Sequence, residues 1–136
     1  MLGALAEAGY SDTRARHAVV EALCEFRRGV TPGDLLTRAR AHHPHLGHVT
    51  VYRTLEILEK LGLIRKLHQE DGCSSYAASS RGHAHYVICR KCRAAVEFDR
   101  CTLDGVLRDV SARTGYVVEG HWLELFGLCP ACRGAK

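Results

Sequence analysis

The segment HVTVYRTLEILEKL, residues 48–61, carries apolar side chains at helical spacing and is followed by a pattern typical of a β-hairpin. The apolar stripe consists of Val51, Leu55, Leu58 and Leu61. The residues that lie mostly off this stripe are Thr50, Arg53, Thr54 and Glu56. Residues 63–67 and 74–77 form two short strand patterns around the turn pair Asp71-Gly72. A helix followed directly by a hairpin is typical of the second half of a winged helix-turn-helix domain.

Two shorter helices are predicted before this segment. The first has the cap candidates Ser11 and Asp12, followed by apolar residues at helical spacing. The second begins at residues 31–34, TPGD, where Thr is the cap, Pro lies in the first turn and the carboxylate faces free amides. Three helices and a hairpin predict a winged helix-turn-helix domain over residues 1–78, whose third helix enters the major groove of DNA.

Residues 79–82, SSRG, are the candidate hinge, because the hydrophobic pattern changes after them from helix to strand. Strand patterns cover residues 83–88, 94–98, 116–118 and 121–128. A helix pattern lies between the second and third of these and ends at Gly115. We therefore expect a small α/β domain over residues 83–136, and an α+β fold for the whole chain.

Four of the seven cysteines form two Cys-x-x-Cys steps, and residues 93–128 lie between the steps. The four are Cys89, Cys92, Cys129 and Cys132. Two thiolates at this spacing reach one ion from a tight turn, and two such turns complete a tetrahedral site that favours zinc. Because such a site has no open position, we predict a structural zinc ion that clips the second domain. A redox pair is the alternative, but no βαβ pattern surrounds either step.

The overall composition excludes several classes of protein. With 46% hydrophobic residues among 136, the chain can form a core and is not a disordered tail. No apolar run approaches the roughly 20 residues of a membrane span. The first four residues, MLGA, lack the pattern of a secretory signal, so we expect a cytoplasmic protein whose reduced thiols bind metal. The net charge of +4 agrees only weakly with DNA binding.

The string VTVYRTL at residues 49–55, combined with the two Cys-x-x-Cys steps, resembles the ferric uptake regulator family of metal-responsive bacterial repressors. The likeness extends from DTRAR at residues 12–16 to Cys132, and the zinc uptake branch is the most similar. It implies a winged helix, a hinge and a C-terminal dimerisation domain, and hence a homodimer on a palindromic operator. The residues that it places at DNA are Thr50, Tyr52, Arg53, Arg14 and Arg16. One departure is Arg93, which follows Cys92 where the family often has Gly.

The resemblance also implies a regulatory metal site made of three imidazoles and one carboxylate. The residues at the matching positions are His83, His85, Asp104 and His121. The first two histidines alternate on a predicted strand, so their side chains point to one side. Such a set suits Zn²⁺, although Fe²⁺, Mn²⁺, Co²⁺ or Ni²⁺ also binds these donors. The alternative is that these histidines are ordinary surface or core residues.

The family's other sensor site, at the hinge, lacks most of its usual ligands in this chain. Counted without gaps, its positions hold Ala84, Tyr86, Ala77 and Gly29, and only Glu97 remains in place. Either the site is absent, or a one-residue shift moves His83 and His85 into it. The candidates for substitute ligands are His68, Cys73 and Cys101. The thiols of Cys73 and Cys101 would favour zinc over iron. The alternative, at least equally supported, is that Cys73 is a turn residue and Cys101 a helix-start residue.

Three hypotheses about function follow. The leading one is a homodimeric repressor of metal uptake genes whose corepressor is a second divalent metal, with zinc favoured. The second is an iron-, manganese- or peroxide-sensing member of the same family, against which the abundant cysteines argue. The third is a zinc hydrolase with Glu97 as base, but the chain lacks a helical His-Glu-x-x-His motif and the DNA-binding half would be unexplained. We therefore expect a regulator and not an enzyme, with Cys24 as a small core residue.

Overall fold

The computed structural model describes residues 1–26, 29–68, 72–79 and 84–134, and the structural statements below concern these ranges. The first half contains α1 (Leu2–Glu7), α2 (Arg14–Glu25), α3 (Pro32–Ala39), α4 (His48–Lys60), β1 (Ile64–His68) and β2 (Ser74–Ala78). The second half contains β3 (His85–Cys89), β4 (Ala95–Phe98), α5 (Asp104–Thr114), β5 (Glu124–Gly127) and α6 (Pro130–Arg133). This order confirms the predicted α+β class with a helical, winged first half. Helices α1 and α6 were not expected from the sequence.

Side-chain caps explain where α2 and α3 begin. The Thr31 hydroxyl accepts a hydrogen bond from the Asp34 amide at 3.1 Å, and Pro32 occupies the first turn, as predicted. Helix α2 starts instead after Thr13, whose hydroxyl accepts from the Arg16 amide at 3.2 Å. The choice of Ser11 or Asp12 as the cap was therefore wrong, because the cap residue directly precedes the first helical residue, which is Arg14.

The core of the first half is formed by α2, α3, α4 and the hairpin. Val51, Leu55 and Leu58 of α4 are fully buried, which confirms three members of the predicted stripe. Thr54 is only 1% exposed, so its placement off the stripe was wrong: it lies one turn beyond Val51 on the same face. Cys24 is exposed, so its prediction as a core residue was also wrong. It lies one helical turn after Glu21, which is exposed on the solvent face of α2.

The strands form two separate sheets. Strands β1 and β2 make the antiparallel wing. The second sheet has the order β4-β3-β5, with β3 antiparallel to β4 and parallel to β5. Residues 116–118 form no strand, which corrects the prediction. Tyr116 and Val117 are 76% and 86% exposed, and a β-branched run needs a neighbouring strand to pair with, which this protomer does not offer in its described ranges.

The two halves meet between the wing and the second sheet. Leu67, Ala77, Tyr86 and Ile88 form a small buried cluster there. The His68 amide donates to a Glu124 carboxylate oxygen at 3.2 Å, which fixes the end of β1 to β5. Of the predicted hinge, only Ser79 lies within the described residues, so the domain boundaries stay a prediction. Among those residues, no helix has both the length and the apolar character that crossing a bilayer requires.

Candidate metal centres and the exposed face of helix α4

The two Cys-x-x-Cys steps come together at one edge of the second sheet and form a four-cysteine cluster. The sulfur atoms of Cys89, Cys92, Cys129 and Cys132 all lie within 4.8 Å of one another. Parallel pairing of β3 with β5 causes this, because Cys89 ends β3 opposite Gly127, and Cys129 follows two residues later. Four converging thiols with no other donor make a closed tetrahedral set, which is consistent with a structural zinc site.

Hydrogen bonds shift the pKa values of two of these thiols in opposite directions. The Cys129 amide donates to Cys89 Sγ at 3.4 Å, and with the amides of Cys92 and Lys91 it lowers the pKa of Cys89 to about 6. The side-chain hydrogen bond with Cys129 is the main reason that the pKa of Cys132 rises to about 12. Neighbouring thiolates repel each other, so the four cannot all ionise without a cation. A divalent ion removes that repulsion, and the cluster is therefore suited to bind one.

Arg93 completes the first Cys-x-x-Cys turn. Its φ is 60°, the left-handed region that glycine adopts most easily, and its amide donates to the Cys89 carbonyl at 2.9 Å. The turn thus has the geometry for which a glycine is suited, although an arginine occupies the position. The departure from the family pattern leaves all four sulfurs in place.

A second group of metal-binding side chains lies in the same half of the protein. The ligand atoms of His85, Cys101 and His121 are within 4.8 Å of one another. Cys101 Sγ lies 3.1 Å from His121 Nε2, and the imidazoles of His85 and His121 stack with centroids 5.1 Å apart. His85 is only 1% exposed, and its imidazole also contacts the Phe98 ring, with the two ring centroids 5.4 Å apart. Two predicted regulatory ligands therefore meet, and Cys101, predicted only as a substitute ligand, joins them.

The remaining predicted regulatory ligands lie elsewhere or are not described. His83 falls outside the described residues. Asp104 is exposed as the first residue of α5, and its carboxylate does not belong to the group formed by His85 and His121. An acidic residue in the first turn of a helix is stabilised by the free amides there. This position gives Asp104 a local structural role whether or not it binds metal.

A hydrogen-bonded phenol occupies the place of the usual hinge sensor. The Tyr86 hydroxyl lies 3.0 Å from Glu97 Oε2 and 3.3 Å from the Ala78 carbonyl. Burial is the main reason that the pKa of Tyr86 is raised, and the hydrogen bond with Glu97 adds to it. His85 precedes Tyr86 on β3, so the two side chains point to opposite faces. Within the described ranges, His85 thus lies in the His/Cys group and not at the hinge position.

Two other substitute ligands lie apart from both clusters. His68 Nδ1 is 3.6 Å from Glu124 Oε1, at the end of the wing. Cys73 is exposed just before β2. Neither belongs to a group of three or more ligand atoms in the part of the chain that the structure describes. Within its described residues, the structure therefore brings together two clusters of candidate metal ligands, both in the second half.

Comparison with known proteins agrees with this architecture. The profile of the ferric uptake regulator family matches residues 7–126. The chain belongs to that family. Its members are transcriptional regulators, so the expectation of a regulator and not an enzyme is confirmed and the hydrolase hypothesis is excluded.

Individual relatives of this family member include regulators named for different signals. The zinc uptake regulation protein of Mycobacterium tuberculosis is 32% identical over 132 residues, covering 95% of this chain and 99% of the relative. The peroxide operon regulator of Bacillus subtilis is 31% identical over 131 residues, covering 96% and 90%. The ferric uptake regulation protein of the same organism is 30% identical over 136 residues, covering 97% and 91%. Sequence identity to these relatives therefore does not distinguish a zinc-responsive regulator from an iron- or peroxide-responsive one.

Solved structures share the fold. A zinc uptake regulator complexed with zinc and DNA has a TM-score of 0.73 at 24% identity and covers 95% of this chain and 87% of its own. The Helicobacter pylori ferric uptake regulator has a TM-score of 0.71 at 21% identity, covering 97% and 88%.

In this family member, α4 presents the residues that the resemblance places at DNA. Tyr52 is 47% exposed, Arg53 is exposed, and Thr50 is half-buried on the same helix. Exposed Val49 joins this face, which apolar periodicity alone did not reveal. Arg14 is exposed at the start of α2.

Arg16 is engaged within the protomer. Its guanidinium donates to the Ser11 carbonyl and lies over the Tyr10 ring, 5.9 Å from the centroid. The side chain thereby fixes the connection between α1 and α2. Its predicted phosphate contact stays a prediction.

Proposed function

We propose that this protein is a zinc-responsive repressor that binds DNA as a homodimer and controls genes of metal uptake. The observation that carries the proposal is the presence of two separate metal-binding clusters in one domain, the four-cysteine cluster and the group formed by His85, Cys101 and His121. A closed four-thiol cluster is suited to a permanently bound structural ion. The second cluster has only three donors, which is suited to an ion that exchanges with the solution. Thiols in both clusters favour zinc over manganese and iron.

The proposed regulatory site comprises His85 and His121, which the structure brings together, and His83 and Asp104 as further ligands. Metal there joins β3 to the segment before β5, on the face of β3 opposite to Tyr86 and the small buried cluster at the wing. An ion that binds this arrangement more tightly than a looser one shifts the population toward it. DNA affinity then rises with the free metal concentration.

The proposed DNA contacts follow from the chemistry of the α4 face. A tyrosine ring at Tyr52 suits a thymine methyl group, and the guanidinium of Arg53 suits guanine or phosphate. Thr50 contributes a hydroxyl, and Arg14 and Arg16 supply positive charge toward the phosphate backbone. A structural neighbour described as a zinc uptake regulator bound to zinc and DNA supports double-stranded DNA as the partner.

A second copy of the chain is the proposed protein partner. Helix α5 has no buried residue in the protomer, although the sequence gives it an apolar stripe. The exposed apolar residues on it and after it are Val106, Val110, Tyr116 and Val117. When this surface packs against the same surface of a second copy, a twofold dimer forms. The two α4 helices of that dimer fit a palindromic operator. We propose the reducing cytoplasm as the location of the dimer, which the thiols of both clusters support.

A band-shift titration tests the proposal. Protein whose four-cysteine cluster is already filled with zinc is mixed with operator DNA, and further zinc is then added against a chelator. We expect DNA affinity to rise with the second equivalent of zinc and to fall on chelation. His121→Ala should lose this response, whereas Cys24→Ser, a change at an exposed cysteine outside both clusters, should keep it. DNA affinity that is indifferent to zinc in the wild type would overturn the proposal.

An iron- or peroxide-sensing regulator is the second candidate, because the two Bacillus subtilis relatives are nearly as similar as the zinc regulator. Iron held by imidazoles would oxidise its own ligands when peroxide is added. Mass spectrometry of the iron-loaded protein after peroxide tests the peroxide sensor: added oxygen on His85 or His121 favours it, and unmodified histidines reject it. Operator binding that rises with Fe²⁺ but not with Zn²⁺ would favour the iron sensor.

A further inference from the structure

We infer that Cys101 is a direct ligand of the second metal, and that its thiolate restricts the site to thiophilic divalent ions such as Zn²⁺ and Cd²⁺. The inference rests on the proposed function, in that the site is the regulatory one. It goes beyond that function because it assigns a sulfur ligand where the resemblance implies only imidazoles and a carboxylate.

Geometry is the first argument. Cys101 Sγ lies 3.1 Å from His121 Nε2, and both atoms lie within 4.8 Å of a ligand nitrogen of His85. Ligand atoms around one zinc ion are separated by similar distances, since each bond is about 2.0–2.3 Å long. An ion placed among the three reaches all of them with small side-chain adjustments.

The position of Cys101 in the chain is the second argument. Cys101 lies in the connection between the end of β4 at Phe98 and the start of α5 at Asp104, and its side chain is half-buried beside His121. Asp104, three residues later, is exposed at the first turn of α5. The connection therefore directs the Cys101 sulfur toward the two imidazoles.

Ligand chemistry gives the consequence for selectivity. Mn²⁺ and Fe²⁺ prefer oxygen and nitrogen donors, whereas a thiolate favours Zn²⁺ and Cd²⁺. A thiolate among imidazole ligands thus disfavours the harder ions. The same fold can respond to a different metal through one residue before α5.

Spectroscopy with cobalt tests the sulfur ligand directly. Wild-type protein is first saturated with zinc at the four-cysteine cluster, and Co²⁺ is then titrated into the remaining site. We expect the added cobalt to produce a sulfur-to-metal charge-transfer band. Cys101→Ser keeps a hydroxyl that can still hydrogen-bond to His121, so it preserves the local fold but should lose the band and about tenfold or more in metal affinity. Cys24→Ser and Cys73→Ser should retain both.

A third variant tests selectivity. Cys101→Asp introduces a hard oxygen donor at the same position, so competition between Zn²⁺ and Mn²⁺ should move toward manganese relative to the wild type. A band that persists in Cys101→Ser, or a wild-type site that binds cobalt without the band, overturns the inference. DNA binding measured on the same samples separates the two claims. A band without metal-dependent DNA affinity keeps the sulfur ligand and rejects the regulatory role, whereas metal-dependent affinity without a band does the opposite.

Discussion

The phenol oxygen of Tyr86 lies 3.0 Å from Oε2 of Glu97, across the antiparallel pair of strands β3 and β4. The same oxygen is 3.3 Å from the Ala78 carbonyl at the end of the wing. The one proton of this hydroxyl is shared between two acceptors, the Glu97 carboxylate of the second sheet and the Ala78 carbonyl of the wing. The phenol lies at the position that the family resemblance assigns to a hinge sensor metal.

Removing this hydroxyl should weaken the connection between the halves. Tyr86→Phe keeps the ring in its buried cluster but leaves Glu97 and the Ala78 carbonyl without that partner, so we expect a loss of about 1–2 kcal/mol in the free energy of unfolding. Denaturant titration of zinc-loaded protein measures it. Tyr52→Phe, measured without DNA, is the matched control, because Tyr52 is 47% exposed on α4 and its substitution should cost almost nothing in stability. Equal stability of the two variants would contradict the role given to Tyr86.

The four-cysteine cluster should be required for the second domain to fold. Cys89→Ser removes the thiol with the lowered pKa, which is the ligand most readily available as thiolate, and should release the structural ion. The metal content per subunit should fall by at least one ion, and thermal unfolding should lose its cooperativity. Cys73→Ser changes an exposed cysteine outside both clusters and should alter neither measurement.

The exposed face of α4 should determine DNA affinity. Arg53→Ala should weaken operator binding by about 1–3 kcal/mol if the guanidinium reads a base, with relaxed specificity at one position. Fluorescence anisotropy with operator and scrambled DNA measures both quantities. Lys60→Ala removes a charge from the exposed last residue of the same helix and is expected to have a smaller effect. A uniform loss on both DNAs would instead indicate that Arg53 contacts phosphate.

Acid should remove a contribution that Glu25 makes to stability. The hydrogen bond from Arg38, and next that with His42, lowers the pKa of Glu25 from its usual 4.5. Because the folded-state pKa is lowered, the stabilisation is fully present above 4.5 and is lost as the pH falls through the folded-state value.

Glu25→Gln should therefore lower the melting temperature at neutral pH, and the difference from the wild type should shrink at pH values below 4.5. Glu7→Gln, on α1 and outside this network, serves as the control. A difference between Glu25→Gln and the wild type that does not change with pH would reject this electrostatic origin.

The apolar surface beyond α5 should hold the dimer together. Val117→Asp places a charge on a side chain that is 86% exposed in the protomer, so the fold of one copy should survive while the dimer dissociates. Sedimentation velocity should show a monomer with an unchanged circular dichroism spectrum, and operator affinity should fall with it. A dimer that persists would place the interface on another surface.

Helix α4 and the four-cysteine cluster were predictable because their signals are local. Val51, Leu55 and Leu58 follow one helical period, and two thiols separated by two residues leave few alternatives to a metal. The His/Cys cluster was only half predictable. His85, Cys101 and His121 are far apart in sequence, and no spacing rule says that sulfur rather than the carboxylate of Asp104 turns inward. Thr54 and Cys24 were misplaced because residue type was given more weight than position on the helix.

The pairing of β3 with β5 has a consequence for the order in which metals are bound. The four sulfurs close residues 93–128 into a loop, and Cys101 and His121 both belong to that loop, while His85 lies four residues before the first sulfur. Without the closure, these side chains would belong to a long flexible segment, and bringing them together would cost chain entropy. When the four-cysteine cluster holds its ion, the loop is already closed and this entropy has already been lost. The regulatory site therefore exists only in molecules that already contain their first ion. A cell severely depleted of metal would thus lose the sensor itself as well as its signal.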